Sequence, residues 1–466
     1  MSNSPDRLTD DAITQFLRTR SADPEFGLLD DIVRTVVATP QDRPWLGLRP
    51  IQVPRRTLLM VAIALLLATM GAIGVGSLLL RPNLPVVPLP TTPDAWSRFL
   101  VETPQGSGSV ASLAASPQGL LAVIQGGDRP EQGGGDGPTR LVVSTDGRNW
   151  TLVPEGQHPE LSTTNDFGLP SVVGTDRGFL LMQLQEFWIS EDGNDWRRLA
   201  SPATDPDLSQ SQMRAATAGG PGLVAVGGDK AWYSVDGSDW SLAEVPPVPA
   251  EILARPESER YVEMIGVTTA GNDLVAWGLG EVPLADNSDE HLVVPLLWVS
   301  SDGRTWTDVA DPLMDTVTAV TGGPRGFVAV GQVGTEPAGW FSADGQAWQR
   351  IAGDPFDSRW PKGPDGLRIN NDAGDIPIEL TLASAAAGSA GYLVVGGDGL
   401  CVGEGFCGSN EAVIWTSADG RSWSRIPNDD RFSDGFATAA TAWGSRFVVG
   451  GVHTDEPAIW ISGSAP

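Results

Sequence analysis

Two patterns of apolar residues divide the chain. From Thr57 to Leu80 (TLLMVAIALLLATMGAIGVGSLLL) no charged side chain occurs in 24 consecutive residues. At about 1.5 Å of rise per residue, a helix of that length is long enough to cross a bilayer. Beyond residue 94 the apolar runs are short and follow a glycine or other turn: Gly119 to Ile124, Gly178 to Met182, Gly222 to Val226, Leu274 to Trp277, Gly326 to Val330, Gly391 to Val395 and Phe447 to Val449. Such runs, bounded by turn residues and apolar on both faces, predict inner strands buried between neighbouring sheets. Before the membrane segment two amphipathic stripes predict two short helices: Leu8, Ile13, Phe16 and Leu17, then Phe26, Leu29, Ile32, Val33, Val36 and Val37, the second ending before Pro40. After it, prolines at 82, 85, 88, 90 and 93 predict an extended polyproline II stalk. The domains expected are a cytoplasmic helical tail (1–56), a transmembrane helix (57–80), a Pro-rich stalk (81–94) and a β-domain (95–466).

Charge orients this arrangement. Arg43, Arg49, Arg55 and Arg56 precede the apolar run, and only Arg81 and Arg98 follow it closely. The positive-inside bias therefore places the N-terminus in the cytoplasm and the β-domain outside a single-pass membrane anchor. The chain has 30 basic and 58 acidic side chains, net −28; residues 1–56 hold eight of each, so the whole excess lies beyond them. That sign excludes a nucleic-acid binder, which needs a basic face for phosphates. Composition agrees with a turn-dense β protein: Gly 56, Pro 37 and Trp 17, against Tyr 3 and His 3. The two cysteines, Cys401 and Cys407, stand six residues apart in an exterior insertion, where oxidation to a disulfide is expected.

Self-similarity defines the β-domain. The pattern Ser-x-Asp-Gly-x-x-Trp occurs six times: Ser144/Asp146/Gly147/Trp150, Ser190/Asp192/Gly193/Trp196, Ser234/Asp236/Gly237/Trp240, Ser300/Asp302/Gly303/Trp306, Ser342/Asp344/Gly345/Trp348 and Ser417/Asp419/Gly420/Trp423. Asp-Gly between strands signals a hairpin turn, because glycine adopts positive φ without steric cost. A seventh start, Trp460-Ile461-Ser462, ends with the chain, and its missing second half resembles Trp96-Ser97-Arg98-Phe99-Leu100 at the start of the domain. Spacings between the serines are 46, 44, 66, 42, 75 and 45 residues, a period that suits four-stranded blades. The fold expected is an all-β, seven-bladed β-propeller whose last blade is closed by the first strand of the domain. Thirteen of the 17 tryptophans fall on repeat positions, which makes them packing residues; Trp45, Trp277, Trp360 and Trp443 do not.

These turns resemble the Asp-box (BNR) repeats of sialidase-superfamily propellers over residues 96–466, with one difference: each copy has seven positions, Gly following Asp directly. The resemblance implies a propeller that binds or scaffolds. For a sialidase it would further imply an arginine triad, a tyrosine nucleophile paired with glutamate, and an aspartate acid/base. Tyr233 and Tyr392 fall within strands, leaving Tyr261, in Glu259-Arg260-Tyr261-Val262-Glu263, as the loop tyrosine. Ser424-Arg425-Ile426-Pro427 imitates the arginine-bearing sialidase motif but follows the last complete repeat, where it reads as a coincidence of the pattern. The tail is similar in position and size to that of membrane-bound anti-sigma factors, without a zinc signature: no Cys precedes Cys401 and no His precedes His158.

His158, His291 and His453 are isolated, and the acidic stretches 286–290 and 371–375 lack the spacing of a helix-loop-helix calcium loop, so no metal or cofactor is assigned. The long insertions, 126–139, 243–261, 279–293, 352–378 and 397–411, all fall where a four-stranded blade places loops on the face opposite the repeat turns. They should wall a cleft over the fifth blade, with Arg260, Tyr261, Arg359, Trp360 and Arg368 as cationic and aromatic binding candidates. The reading that follows is an extracytoplasmic binding module for a protein, peptide or glycan. A sialidase-like glycoside hydrolase is the alternative, and a transmembrane regulator whose tail holds a cytoplasmic partner the second.

Overall fold

The computed structural model describes residues 89–463, apart from 127–136, 162–169, 200–212, 247–260, 284–290, 310–313, 357–369, 402–406 and some one- and two-residue stretches. The expected tail, membrane helix and most of the stalk lie outside the described residues. Among the described residues no helix is long and apolar enough to cross a membrane.

Seven four-stranded antiparallel sheets follow one another around a ring. The first described strand, β1 (Trp96–Leu100), belongs to the last sheet. Blade 1 is β2 (Gly108–Ser116), β3 (Gly119–Gly126), β4 (Thr139–Ser144) and β5 (Thr151–Leu152); blade 2 is β6 (Ser171–Thr175), β7 (Gly178–Gln183), β8 (Glu186–Ser190) and β9 (Arg197–Arg198). Blade 3 is β10 (Ala215–Gly219), β11 (Gly222–Gly227), β12 (Lys230–Ser234) and β13 (Ser241–Leu242); blade 4 is β14 (Tyr261–Ala270), β15 (Asp273–Pro283), β16 (His291–Ser300) and β17 (Thr307–Asp308). Blade 5 is β18 (Thr316–Gly323), β19 (Gly326–Val333), β20 (Glu336–Ser342) and β21 (Trp348–Arg350). A two-stranded ribbon, β22 (Asn370–Asn371) with β23 (Gly374–Asp375), precedes blade 6, which is β24 (Ile378–Gly388), β25 (Gly391–Cys401), β26 (Cys407–Ser417) and β27 (Ser424–Arg425). Blade 7 is β28 (Gly435–Trp443), β29 (Arg446–His453), β30 (Glu456–Ser462) and, outermost, β1. The first strand of each blade touches that of the next, and β28 touches β2, so the circle is complete.

Closure takes the expected form. β1 pairs with β30 in the register Trp96↔Ser462, Arg98↔Trp460 and Leu100↔Ala458. Backbone bonds extend the pairing at both ends, from Gly463 N to Ala95 O (2.8 Å) and from Val101 N to Pro457 O (2.9 Å).

The glycine-led apolar runs are buried between blades as predicted, but each is the second strand of its blade rather than the one nearest the axis. The innermost strands are made of small residues, as in AATAG (β10) and IELTLASAAAG (β24). Crowding near the axis explains the choice: a Cβ on Gly174 would lie 1.7 Å from Ala115 O of the neighbouring blade, and one on Gly322 would lie 2.2 Å from Thr269 O. Apolar clusters then fill the wedges between adjacent blades; one joins Leu121, Val123 and Leu141 of blade 1 to Phe179, Leu181 and Trp188 of blade 2. Trp340, Trp415 and Trp460, on the third strands, are almost wholly buried in such wedges. Removing apolar surface of that size from water is the main stabilising contribution.

The six repeat turns share a hydrogen-bond frame. The hydroxyls of Ser144, Ser190, Ser234, Ser300, Ser342 and Ser417 accept, at 2.8–2.9 Å, from the N–H groups of Gly147, Gly193, Gly237, Gly303, Gly345 and Gly420 respectively. The carbonyls of the same six glycines accept in turn from the indole Nε1 of Trp150, Trp196, Trp240, Trp306, Trp348 and Trp423, at 2.7–3.3 Å. All six of these tryptophans pack in or against the apolar clusters of the wedges, to different depths. Trp306 and Trp348 are buried, whereas Trp150, Trp196, Trp240 and Trp423 are only half-buried. All four still pack against the apolar clusters of the wedges, at their margins. Neighbouring blades still supply apolar partners at the rim: Trp240 stacks on Phe187 of blade 2 with ring centres 4.6 Å apart.

The aspartates complete the frame in five copies. Oδ1 of Asp146, Asp192, Asp302, Asp344 and Asp419 accepts from the two backbone N–H groups beyond the glycine, as Asp146 does from Arg148 and Asn149, both at 2.8 Å. Asp236 holds the equivalent position in the third copy and is exposed, and the first of its expected donors, Ser238, lies outside the described residues. The bonds from Asn149 and then Arg148 hold the Asp146 carboxyl far below the usual carboxylate range, and Asp344 is lowered in the same way by Ala347 and Gln346. For Asp192, Asp302 and Asp419, partial desolvation pushes upward, yet the backbone donors outweigh it and the net direction is down.

Candidate functional site

In an up-and-down blade, the connections between the second and third strands, and from one blade to the next, emerge on the face opposite the repeat turns. That face carries the insertions, but two of them are not loops. β15 and β16 stay paired out to Pro283↔His291, and β25 and β26 out to Cys401↔Cys407. Their inner neighbours lengthen with them, giving Tyr261↔Glu281 and Ile378↔Leu400. Residues 279–283 with 291–293, and 397–401 with 407–411, therefore extend the blades as β-sheet, because apolar, β-branched runs such as HLVVPLLWVS continue the ladder instead of leaving it. Blade 5, between them, turns at once from Val333 to Glu336.

Tyr261 opens β14 and is 44% exposed. Its hydroxyl donates to Glu263 Oε2. The other oxygen of Glu263 pairs with the Nε of Arg214, which immediately precedes β10 of blade 3. Burial, then the hydrogen bond and negative charge of Glu263, push the Tyr261 phenol up to about 12. The phenol is thus protonated throughout the physiological range and acts as a donor. Arg260, Arg359, Trp360 and Arg368 lie outside the described residues. Sequence reasoning singled out Tyr261 but not Glu263 or Arg214. Residues two apart on a strand share a face, so Glu263 carried a usable signal; Arg214 is 49 residues from Glu263 and comes near only through the neighbouring blade.

The other tyrosines are packed. Tyr392 is buried, donates to Gly326 O at 3.0 Å and accepts from Arg325 N at 2.9 Å, joining blade 6 to blade 5. Tyr233 is half-buried under the Arg304 guanidinium, 5.1 Å from its ring centre. Arg425, of the sialidase-like tetrapeptide, lies in the outermost strand of blade 6. Its side chain is 5% exposed and ion-paired to Asp398 (3.3 Å) and Glu411 (3.6 Å), a brace within its own blade. Among the described residues no group of three or more His, Cys, Asp or Glu is placed to hold a metal ion. The backbone register sets Cys401 opposite Cys407 at the end of their hairpin.

Strand order and ring closure define the molecule as an all-β, seven-bladed β-propeller. No family model and no curated protein matches the chain. Among solved structures, it is similar to the Pan2 WD40 domain of Neurospora crassa at 8% identity and a TM-score of 0.42, covering 79% of this chain and 95% of that one. The α-L-arabinanase of Penicillium chrysogenum, complexed with arabinobiose, gives 13% identity and a TM-score of 0.39 over 80% of this chain and 96% of that one. The Trypanosoma rangeli sialidase, in complex with sialic acid, gives 11% and 0.36 over 79% of this chain and 57% of that one.

Proposed function

We propose that the chain is a membrane-tethered, extracytoplasmic propeller that binds a protein, peptide or glycan on the face opposite the repeat turns. The observation that carries this reading is the pair of lengthened hairpins, β15–β16 and β25–β26, on either side of the short-turned blade 5. Sheet extensions beside a low blade are rigid walls, and rigid walls reduce the ordering cost of binding. The charge-free run 57–80 and the arginines before it support the tether. Arg359, Trp360 and Arg368 add cationic and aromatic groups to the connection that enters blade 6. The test is a glycan and extracellular-protein screen with the full chain and with a variant in which 280–294 is replaced by a two-residue turn. A ligand held by the full chain and lost by the trimmed variant supports the reading; equal capture by both overturns it.

A second reading, a sialidase-like glycoside hydrolase, is favoured by one arrangement, the Tyr261–Glu263 hydrogen bond with Arg214 beside it. It requires turnover of an aryl sialoside or related glycoside that is abolished in Tyr261→Phe. Turnover unchanged in that variant, or none in either protein, removes it.

A further inference from the structure

The lengthened sheet of blade 4 leaves apolar side chains in water. Its register sets Tyr261 opposite Glu281 and Glu281 opposite Val293, and directly opposed residues point to the same face of a sheet. The three therefore form one row, about 10 Å long, across β14, β15 and β16. Lower down, that face carries Val275, Leu297 and Val299, which pack with Phe327 and Trp340 of blade 5, so above the wedge the row looks over blade 5. Of the five large apolar side chains exposed among the described residues, two stand in this row: Tyr261 is 44% exposed and Val293 39%. The hydrogen bond to Glu263 holds the Tyr261 ring in place.

The facing wall comes from blade 6. Asp398 opposes Glu411, and their side of the sheet carries Val394, Val413 and Trp415, which pack with Val328 and Phe341 of blade 5. The two carboxylates share one guanidinium, that of Arg425, at 3.3 and 3.6 Å, so this wall too has negative charge in excess. The sequence gives both hairpins the same sign over their whole length. Segments 279–293 and 397–411 hold four and three carboxylates, and neither contains a lysine or arginine. Residues 57–466 have 22 basic side chains to 50 acidic, a proportion at which seven carboxylates would be accompanied by about three bases. Walls of one sign facing each other raise the local concentration of the opposite charge between them.

We propose that the two walls hold a basic, extended segment of a partner protein, whose lysine or arginine side chains meet the carboxylates and whose apolar side chains lie on Tyr261 and Val293. This rests on the reading of the insertion face as the binding face, and names the chemistry of the partner. The row sets a carboxylate between two apolar side chains, so its occupant needs both kinds of group within about 10 Å, which an extended basic and apolar sequence supplies. A polyamine brings the charge without the apolar side chains, and an acidic chain meets repulsion from both walls.

The test is calorimetric titration of the full chain with a decapeptide alternating lysine and valine, its counterpart alternating glutamate and valine, and spermine. Expected are binding of the basic peptide that weakens several-fold as salt rises from about 50 to about 500 mM, no binding of the acidic peptide, and a loss of about tenfold or more in the double variant Glu281→Gln, Val293→Ser. Leu100→Ser, at an exposed apolar residue on the closing strand of blade 7, should bind as the parent does, and both variants should keep the parent melting temperature. Binding of the acidic peptide that disappears when 280–294 is replaced by the two-residue turn overturns the chemistry and leaves the binding face standing. Equal binding of the basic peptide by the parent and the trimmed chain overturns both. Spermine bound as tightly as the basic peptide, unchanged binding in the double variant, or no heat at about 1 mM peptide also overturns the proposal.

Discussion

The glycine of each repeat turn answers to two constraints at one position. Its φ lies between +68° and +84°, where a side chain costs about 1–2 kcal/mol. In addition, a Cβ on Gly420 would come 2.7 Å from the Phe341 ring, and one on Gly147 would come 2.4 Å from Ile461 Cδ1. Gly444, by contrast, has φ +61° and open space around it. Gly420→Ala should therefore lower unfolding free energy by about 2–4 kcal/mol and Gly444→Ala by only about 1, as read by chemical denaturation. The Asp-Gly pair announced the turn from sequence, but the second constraint was invisible there, since Phe341 is 79 positions away from Gly420 and belongs to another blade. The aspartates bring a pH dependence. Their carboxyls are lowered in the fold, so the stability they supply is complete above the ordinary carboxylate range, near pH 4, and disappears as pH falls toward the lowered values. Melting temperature followed downward from pH 6 should drop steeply below about pH 4, and Asp146→Asn should lose part of that slope while melting lower at pH 6.

At the scale of strands, register explains both what was readable and what was not. The short glycine-led runs were recognisable as buried strands because they are apolar on both faces. Their rank within the blade was not recognisable, since the innermost strands, such as GFATAATAW (β28), are too small and polar to advertise burial; their packing comes from close backbone approach. The insertions in blades 4 and 6 were visible as extra length, and only pairing out to Pro283↔His291 and Cys401↔Cys407 distinguishes sheet from loop. Directly opposed positions on antiparallel strands suit a cross-strand disulfide. In an oxidising exterior the intact protein should be two hydrogens lighter than its reduced form by mass spectrometry, and Cys401→Ser should abolish the difference while leaving the ring folded. The β29–β30 turn departs from the usual hairpin chemistry: Thr454 (φ +47°) and Asp455 (φ +69°) occupy left-handed positions that favour Asn-Gly. Gly108 N of blade 1 donates to Asp455 O at 2.8 Å, and Thr454 N to Asp434 O at 2.9 Å, so these bonds hold the turn in place. Asp455→Gly keeps both backbone bonds and should stabilise the protein by about 0.5–1 kcal/mol in a denaturant titration.

For the whole molecule, the repeat made the propeller and its closure legible, because six complete copies and one split copy account for seven sheets. The candidate site was legible only at Tyr261; its partners Glu263 and Arg214 come from two blades, and that neighbourhood exists only once blades 3 and 4 pack side by side. Closure also fastens β1 and the residues just ahead of it. Trp96 Nε1 donates to Pro90 O at 3.1 Å, Arg431 pairs with Asp94 at 3.1 Å, and Arg98 Nη1 donates to the carbonyls of Asp430 (2.9 Å) and Arg431 (2.8 Å). If the chain is tethered as proposed, the segment that leads to the membrane is also the clasp of the ring. Tension on a bound partner would then meet the Pro90–Trp96 and Asp94–Arg431 contacts at the edge of blade 7 first and the Arg98 bonds together with the β1–β30 ladder after them, so the load would be spread over one blade's edge instead of falling on the first ladder pair alone.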